Sequence, residues 1–294
     1  MRALVLSGGG ANGDYQVGAL QHIIGDLGVK YDAFCGVSVG ALNGAFLAQF
    51  SDGQEKESID LLEVLWDSID DDAIIKKWCH GLLGNLPGIL WKDSVYSTEP
   101  LRDLVRRNLD TARLKASGKQ LRVGAVAWGS GDYQLWTEKD DDAPQGVLAS
   151  SSFPLFFEDT IARGVPWTDG GLRNITPLKA AIDLGADRID VIRCSPGQVG
   201  GHVERHPGKL TKVKRMLEIL LDEVERGDLA RALDINDLCQ AVSNGNKELL
   251  SRKFIDIRVL APHVDLGDSL DFDPVKNKTN RQRGYRDASS LSWV

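Results

Sequence analysis

Gly36-Val37-Ser38-Val39-Gly40 is the stretch on which the reading of this chain turns. It follows Tyr31 to Cys35, which reads as a buried strand, and precedes Ala41 to Phe50, an apolar, small-residue run that predicts a helix. A serine between two glycines at a strand-to-helix junction suits a sharp turn. The glycines remove side chains where the backbone folds tightly, and the hydroxyl stands exposed at the head of the helix. That is the position of a nucleophile, and the expectation it raises is a serine acyl hydrolase.

Upstream, Ala3 to Leu6 predicts a first buried strand that ends in Gly8-Gly9-Gly10-Ala11-Asn12-Gly13. Asp14 is expected to cap a helix carrying Val17, Leu20, Ile23, Ile24 and Leu27 at helical spacing. Uncovered amides of Gly8, Gly9 and Gly10, joined by that of Val39, would make a nest for the oxyanion of a tetrahedral intermediate. The same loop also satisfies GxGxxG through Gly8, Gly10 and Gly13, with Asp32 at a suitable distance, so taken alone it favours a dinucleotide. The next segment shifts the balance. Asp32 starts its strand rather than ending it, and the strand runs directly into the serine turn. Further on, Val165 to Thr168 lead into Asp169-Gly170-Gly171, which in isolation would read as a turn.

Taken together these pieces resemble the patatin-like phospholipases. Gly8 to Gly13 matches the family's GGGxxG loop, Gly36 to Gly40 its GxSxG, and Asp169 to Gly171 its DGG motif. Ala149-Ser150-Ser151-Ser152-Phe153-Pro154 resembles its Ala-Ser-x-x-x-Pro block, and Asn174, Pro177 and Leu184 to Asp187 follow in the family's order. Asn12 departs from the pattern, standing where the family often has Lys or Arg. The resemblance implies a three-layer α/β/α fold with a mostly parallel central sheet, a variant of the α/β-hydrolase theme. It also implies a Ser38–Asp169 dyad without histidine, no cofactor and no metal. A histidine triad would have to draw on His202, His206 or His263. The implied substrate is a lipid acyl ester, cleaved by phospholipase A or lysophospholipase action. A general carboxylesterase or thioesterase on the same dyad, a nucleotide-binding oxidoreductase and an inactive scaffold are the alternatives.

The 294 residues are read as one domain, 1–294, with inserts at about 51–97 and 199–250. A net charge of −7 argues against a nucleic-acid partner. No run approaches the ~20 apolar residues of a membrane span, so membrane contact is expected to be peripheral and the location cytoplasmic. Cys35 and Cys194 are expected to be buried free thiols, and Cys79 and Cys239 show no metal-ligand spacing. Asp70 to Asp72 and Asp140 to Asp142 read as solvated loop faces rather than calcium sites.

Other expected elements are helices over Ser58 to Ile69, Thr98 to Asn108, Gly146 to Ser151, Pro177 to Leu184 and Lys276 to Ser289. Strands are expected over Arg188 to Cys194 and Phe254 to Leu260, and a hairpin over Leu121 to Trp128 and Tyr133 to Thr137. Lys209 to Glu225 and Asp228 to Leu250 are expected as two amphipathic helices. The apolar stretch Trp78 to Trp91 is read as a loop-like insert that packs on the core or covers the site.

Overall fold

Strand β1 (Arg2–Leu6) sets the architecture because both of its faces are apolar. Leu4 and Leu6 enter one core cluster, while Ala3 and Val5 enter another on the opposite face. A strand buried on both sides belongs inside a parallel sheet covered by helices. The structure, a computed structural model, describes residues 1–76, 94–196, 208–243 and 254–293. After β1 come α1 (Gly13–Leu20), β2 (Ala33–Gly36), α2 (Val39–Leu47), α3 (Glu55–Asp67), α4 (Asp71–Ile74), α5 (Glu99–Asn108) and α6 (Thr111–Ala116). The chain continues through β3 (Gln120–Ala127), β4 (Tyr133–Thr137), α7 (Ala143–Ser150), β5 (Thr160–Ala162), β6 (Val165–Asp169), α8 (Leu178–Asp183) and β7 (Arg188–Ile192). It closes with α9 (Lys209–Ser243), β8 (Asp256–Leu260) and α10 (Pro274–Ser289).

The sheet order is β5-β6-β3-β2-β1-β7-β8, with β4 also on β3. Strands β3, β2, β1, β7 and β8 run parallel, whereas β4 and β6 pair antiparallel with β3 and β5 pairs antiparallel with β6. The expected three-layer α/β/α arrangement is therefore the observed one. One face of the sheet packs on α1 and α2 through Leu4, Leu6 and Phe34. The other packs on α8, where Leu178 and Ala181 meet Ala3, Val5, Ala33 and Cys35.

The edge of β3 is shared, and this matters for the site. Gly36 at the end of β2 pairs with Val123, and two positions further along β3, Ala125 pairs with Asp169 at the end of β6. Opposite them, Val123 and Ala125 pair with Trp136 and Gln134 of β4, so β2 and β6 lie end to end on one edge of β3.

The C-terminal third is tied to the first helix. Arg281 of α10 donates to Asp14 of α1 at 2.7 and 3.2 Å, and a Cβ at Gly284 would overlap the Tyr15 carbonyl, so the two helices touch at backbone level. Asp14 is thus not the expected N-cap. It lies in the first turn of α1, buried, and its carboxylate is committed to Arg281. Past Leu20 the helix continues as a wider π turn over Gln21–Asp26.

A second difference concerns the expected break between two helices after Glu225. Lys209–Ser243 is one helix that passes through Gly227. Gly227 does not take a positive φ. A single interior glycine costs only about 1 kcal/mol and ends a helix only when the chain also turns left-handed there. The rest of that expectation, the insert at Trp78 to Trp91 and His202 and His206 lie outside the described residues. The acidic runs act as caps and pairs: Asp70 accepts the Ala73 N–H at the start of α4, and Asp140 and Asp142 pair with Arg163. Cys35 and Cys194 are buried free thiols, as expected.

Candidate active site

Ser38 occupies the turn between β2 and α2 with φ 55 and ψ −127. An L-residue rarely adopts this conformation, which costs of order 1–3 kcal/mol and persists only when its surroundings enforce it. The enforcement comes from the flanking glycines. A Cβ at Gly36 would overlap the Gly40 carbonyl, and one at Gly40 would overlap the Leu6 carbonyl. Helix α2 therefore starts pressed against β1, and Ser38 is lifted to a half-exposed position at its head.

Asp169 ends β6 and is almost fully buried. Its carboxylate accepts the Gly171 N–H at 2.7 Å and lies beside the Ser38 hydroxyl. Burial pushes its pKa up to about 7, against the opposing pull of the Gly171 N–H and the Ser38 hydroxyl. The end-to-end docking of β2 and β6 on β3 is what brings the two residues together.

The glycine-rich loop lies alongside. A Cβ on Gly8 would stand 3.3 Å from that of Ser38, and one on Gly9 would overlap Cys194. The three expected donors are not equivalent. The Gly8 N–H is already bonded to the Ile175 carbonyl at 3.0 Å, so Gly8 contributes closeness rather than a donor. Among the described residues, no acceptor is bonded to the N–H of Gly9, Gly10 or Val39. Gly13, Gly170 and Gly171 have packing roles: a Cβ would overlap Val39 at Gly13 and the Gly124 carbonyl at Gly170, and would crowd the Asp169 carboxylate at Gly171. The Asn12 amide donates to the Gly267 carbonyl at 3.2 Å and leaves the loop backbone unencumbered.

These groups open onto a cavity of about 1310 Å³. One arm follows α2 through Leu42 and Phe46, and is walled by Leu62 and Trp66 of α3 and by Leu104 and Val105 of α5. From Ser38 to Phe46 the helix climbs about 12 Å. The rim is charged, with Lys212, Arg215 and Glu218 from α9 and Asp265 and Asp268 from the loop after β8. Helix α9 is anchored to this wall by a buried ion pair. Arg193 donates to Glu225 at 2.8 and 2.7 Å, and Thr176 and Ser195 donate to the same carboxylate. Sequence reading missed this pair because its members come from segments that carry no shared motif.

Two alternatives lose ground on geometry. Asp32 is exposed at the start of β2, where it accepts the Arg2 N–H at 2.7 Å. The glycine-rich loop is at the other end of the parallel β1–β2 pair, so the two cannot share a nucleotide. His22 pairs with Asp26 on the surface and His263 is exposed in a separate groove. Among the described residues no histidine lines the cavity with Ser38, and no cluster of metal-ligating side chains occurs.

The charge state of Asp169 makes a pH prediction. A carboxyl held protonated to about pH 7 can accept a proton only above that point. The kcat/KM for a soluble ester is therefore expected to fall about tenfold per unit below pH 7 and to level above it. A profile that is flat from pH 5 to 8 would show that this carboxyl is not the base.

Comparison with known proteins agrees with the motifs. Residues 4–182 match the sequence model of the patatin-like phospholipase family. The chain is 28% identical over 212 residues to the uncharacterized protein YjjU of Escherichia coli (strain K12); the match covers 67% of this chain and 53% of that protein. The chain thus spans about half the length of that curated relative. Among solved structures, VipD from Legionella pneumophila aligns over 98% of this chain and 66% of its own, with 14% identity and a TM-score of 0.46.

Proposed function

Because the chain belongs to the patatin-like phospholipase family, we propose that it hydrolyses acyl esters of lipids, by phospholipase A or lysophospholipase action, through Ser38 and Asp169. The observation that carries this reading is the placement of the half-exposed Ser38 beside a buried carboxylate whose pKa is raised to about 7. Asp169 takes the proton from Ser38 Oγ as the oxygen attacks the ester carbonyl. The N–H groups of Gly9, Gly10 and Val39 stabilise the oxyanion. Protonated Asp169 then delivers its proton to the departing alkoxide, leaving an acyl-enzyme. Water, deprotonated by the same carboxylate, releases the fatty acid and regenerates the serine. A buried carboxyl suits this work because its pKa lies near the operating pH, where proton transfer in both directions is accessible.

The apolar arm along α2 supports a long acyl chain over a short one, since each buried methylene adds about 0.8 kcal/mol. A general carboxylesterase or thioesterase would use the same dyad without needing that arm. Lipid contact in this reading is peripheral: among the described residues no helix is long and apolar enough to cross a membrane.

The test is a fluorophosphonate probe with intact-mass detection, run beside fatty-acid release from phospholipid vesicles and an ester series of increasing chain length. The expected outcome is one adduct on wild type, none on Ser38→Ala, and higher kcat/KM for long chains than for short ones. No adduct and no product from folded wild type would refute the reading. Activity restricted to short esters would favour the general esterase.

A further inference from the structure

Three consecutive residues at the C-terminal end of α7 hold both members of the dyad. Ser150 is fully buried, and its Oγ accepts the Ser38 N–H at 3.0 Å. Ser151 Oγ lies 3.3 Å from the Ser38 carbonyl oxygen and 3.0 Å from that of Val147, so its one proton is shared between them. The Ser152 carbonyl accepts the Asp169 N–H at 2.9 Å and the Thr168 hydroxyl at 2.8 Å.

Helix packing does not account for all of this. Buried serines near a helix end commonly bond back to the carbonyl four residues earlier. Ser151 and Ser152 do so, to Val147 and Leu148. The hydroxyl of Ser150 is aimed across the site at the one backbone residue of the turn with a strained φ. Without it, the Ser38 N–H would have no acceptor among the described residues.

We propose that Ser150, Ser151 and Ser152 form a splint that fixes the nucleophile, its oxyanion donor and its base relative to one another. The proposal rests on the acyl-transfer reading of Ser38 and Asp169. Ser150 fixes the peptide plane entering Ser38. Ser151 adds a third contact to the plane leaving it, whose carbonyl also accepts the Ala41 and Leu42 N–H groups at 2.9 and 3.2 Å. That second plane carries both the Ser38 carbonyl and the Val39 N–H, so holding the carbonyl sets the direction of the oxyanion donor. The Ser152 backbone fixes the end of β6 from which Asp169 projects. Ser150 and Ser151 are thus positioning residues; neither touches the reacting atoms.

The experiment pairs steady-state kinetics on a p-nitrophenyl ester with backbone hydrogen exchange across residues 38–42. It compares wild type, Ser150→Ala, and Ser150→Cys, which keeps the side-chain shape but is a poor acceptor. For both variants kcat is expected to fall about ten- to a hundredfold, the scale of a small misplacement of a reacting group. KM should change little, and exchange at Ser38 should accelerate. A kcat within about twofold of wild type in a folded variant overturns the proposal, as does loss of activity in Ser150→Ala with full activity in Ser150→Cys, which would mean packing alone. Should wild type fail to label at Ser38, the functional reading fails and the exchange data decide the splint separately. Faster exchange at Ser38 supports it and unchanged exchange overturns it.

Discussion

Asp169→Asn is expected to abolish turnover and raise thermal stability at the same pH. Removing the base while keeping the shape should lower kcat by about 10³–10⁴, the scale seen when one member of a coupled catalytic set is lost. The stability effect follows from the same burial. The folded carboxyl keeps its proton up to about pH 7, whereas an ordinary one loses it near 3.8. Across that interval the native state binds the proton and the unfolded state does not, so stability falls as pH rises. The contribution is fully present below about 3.8 and is lost by the time pH passes through 7. At pH 8 the wild type carries an ionised carboxylate with little solvent, and asparagine removes that cost. At roughly 2–4 °C per kcal/mol for a chain of this size, the variant should melt several degrees above wild type at pH 8. The gap should close towards pH 4. Calorimetry at both pH values, beside the ester assay, reads the two effects together. Equal melting temperatures at pH 8 would mean that Asp169 is better solvated than its position at the end of β6 implies.

Gly40→Ala is expected to be among the most damaging single substitutions in the chain. The added methyl would overlap the carbonyls of Leu6 and Ser7, which are backbone atoms of the central strand and the residue after it. No side chain can rotate aside, so α2 must move off β1 and carry Ser38 with it. Losses beyond about 4 kcal/mol are exceptional and come from forced strain of this kind. Gly44→Ala, one turn further along α2, is the control. Its Cβ would meet Phe34 and Leu6 side chains at 3.7 and 3.8 Å, ordinary contact distances, and alanine gains up to about 1 kcal/mol of helix propensity. Urea unfolding should show a large drop in midpoint for Gly40→Ala and no drop for Gly44→Ala. Similar midpoints for the two would contradict the close approach of α2 to β1.

These contrasts separate what the chain states locally from what it settles only by folding. The glycine-rich loop, the serine turn and the doubly apolar β1 are legible in sequence because each is fixed by short-range sterics: which residues tolerate a tight backbone, and which strand can be buried on both faces. They pointed to a parallel sheet covered by helices and to Ser38 as an exposed hydroxyl, whereas the three-layer fold and the role of Asp169 were implied by the family resemblance. The hairpin of β3 and β4 was equally local, because two runs of strand residues flank an obvious turn. The break expected after Glu225 failed for the converse reason, since the helix runs on through Gly227. A glycine permits a helix to end, but whether it ends depends on what the following residues can pack against.

Tertiary structure alone decided the rest. That β2 and β6 share an edge of β3, and so bring the serine to the carboxylate, follows from strand pairing across long stretches of chain whose register no local pattern specifies. That the Gly8 N–H is taken by Ile175 while those of Gly9, Gly10 and Val39 are not depends on the path of a distant loop. The raised pKa of Asp169 is a property of its burial rather than of its residue type. The sequence names the groups, because chemistry and backbone sterics are carried by individual residues; their distances, solvation and free hydrogen-bonding capacity arise only when remote segments pack together.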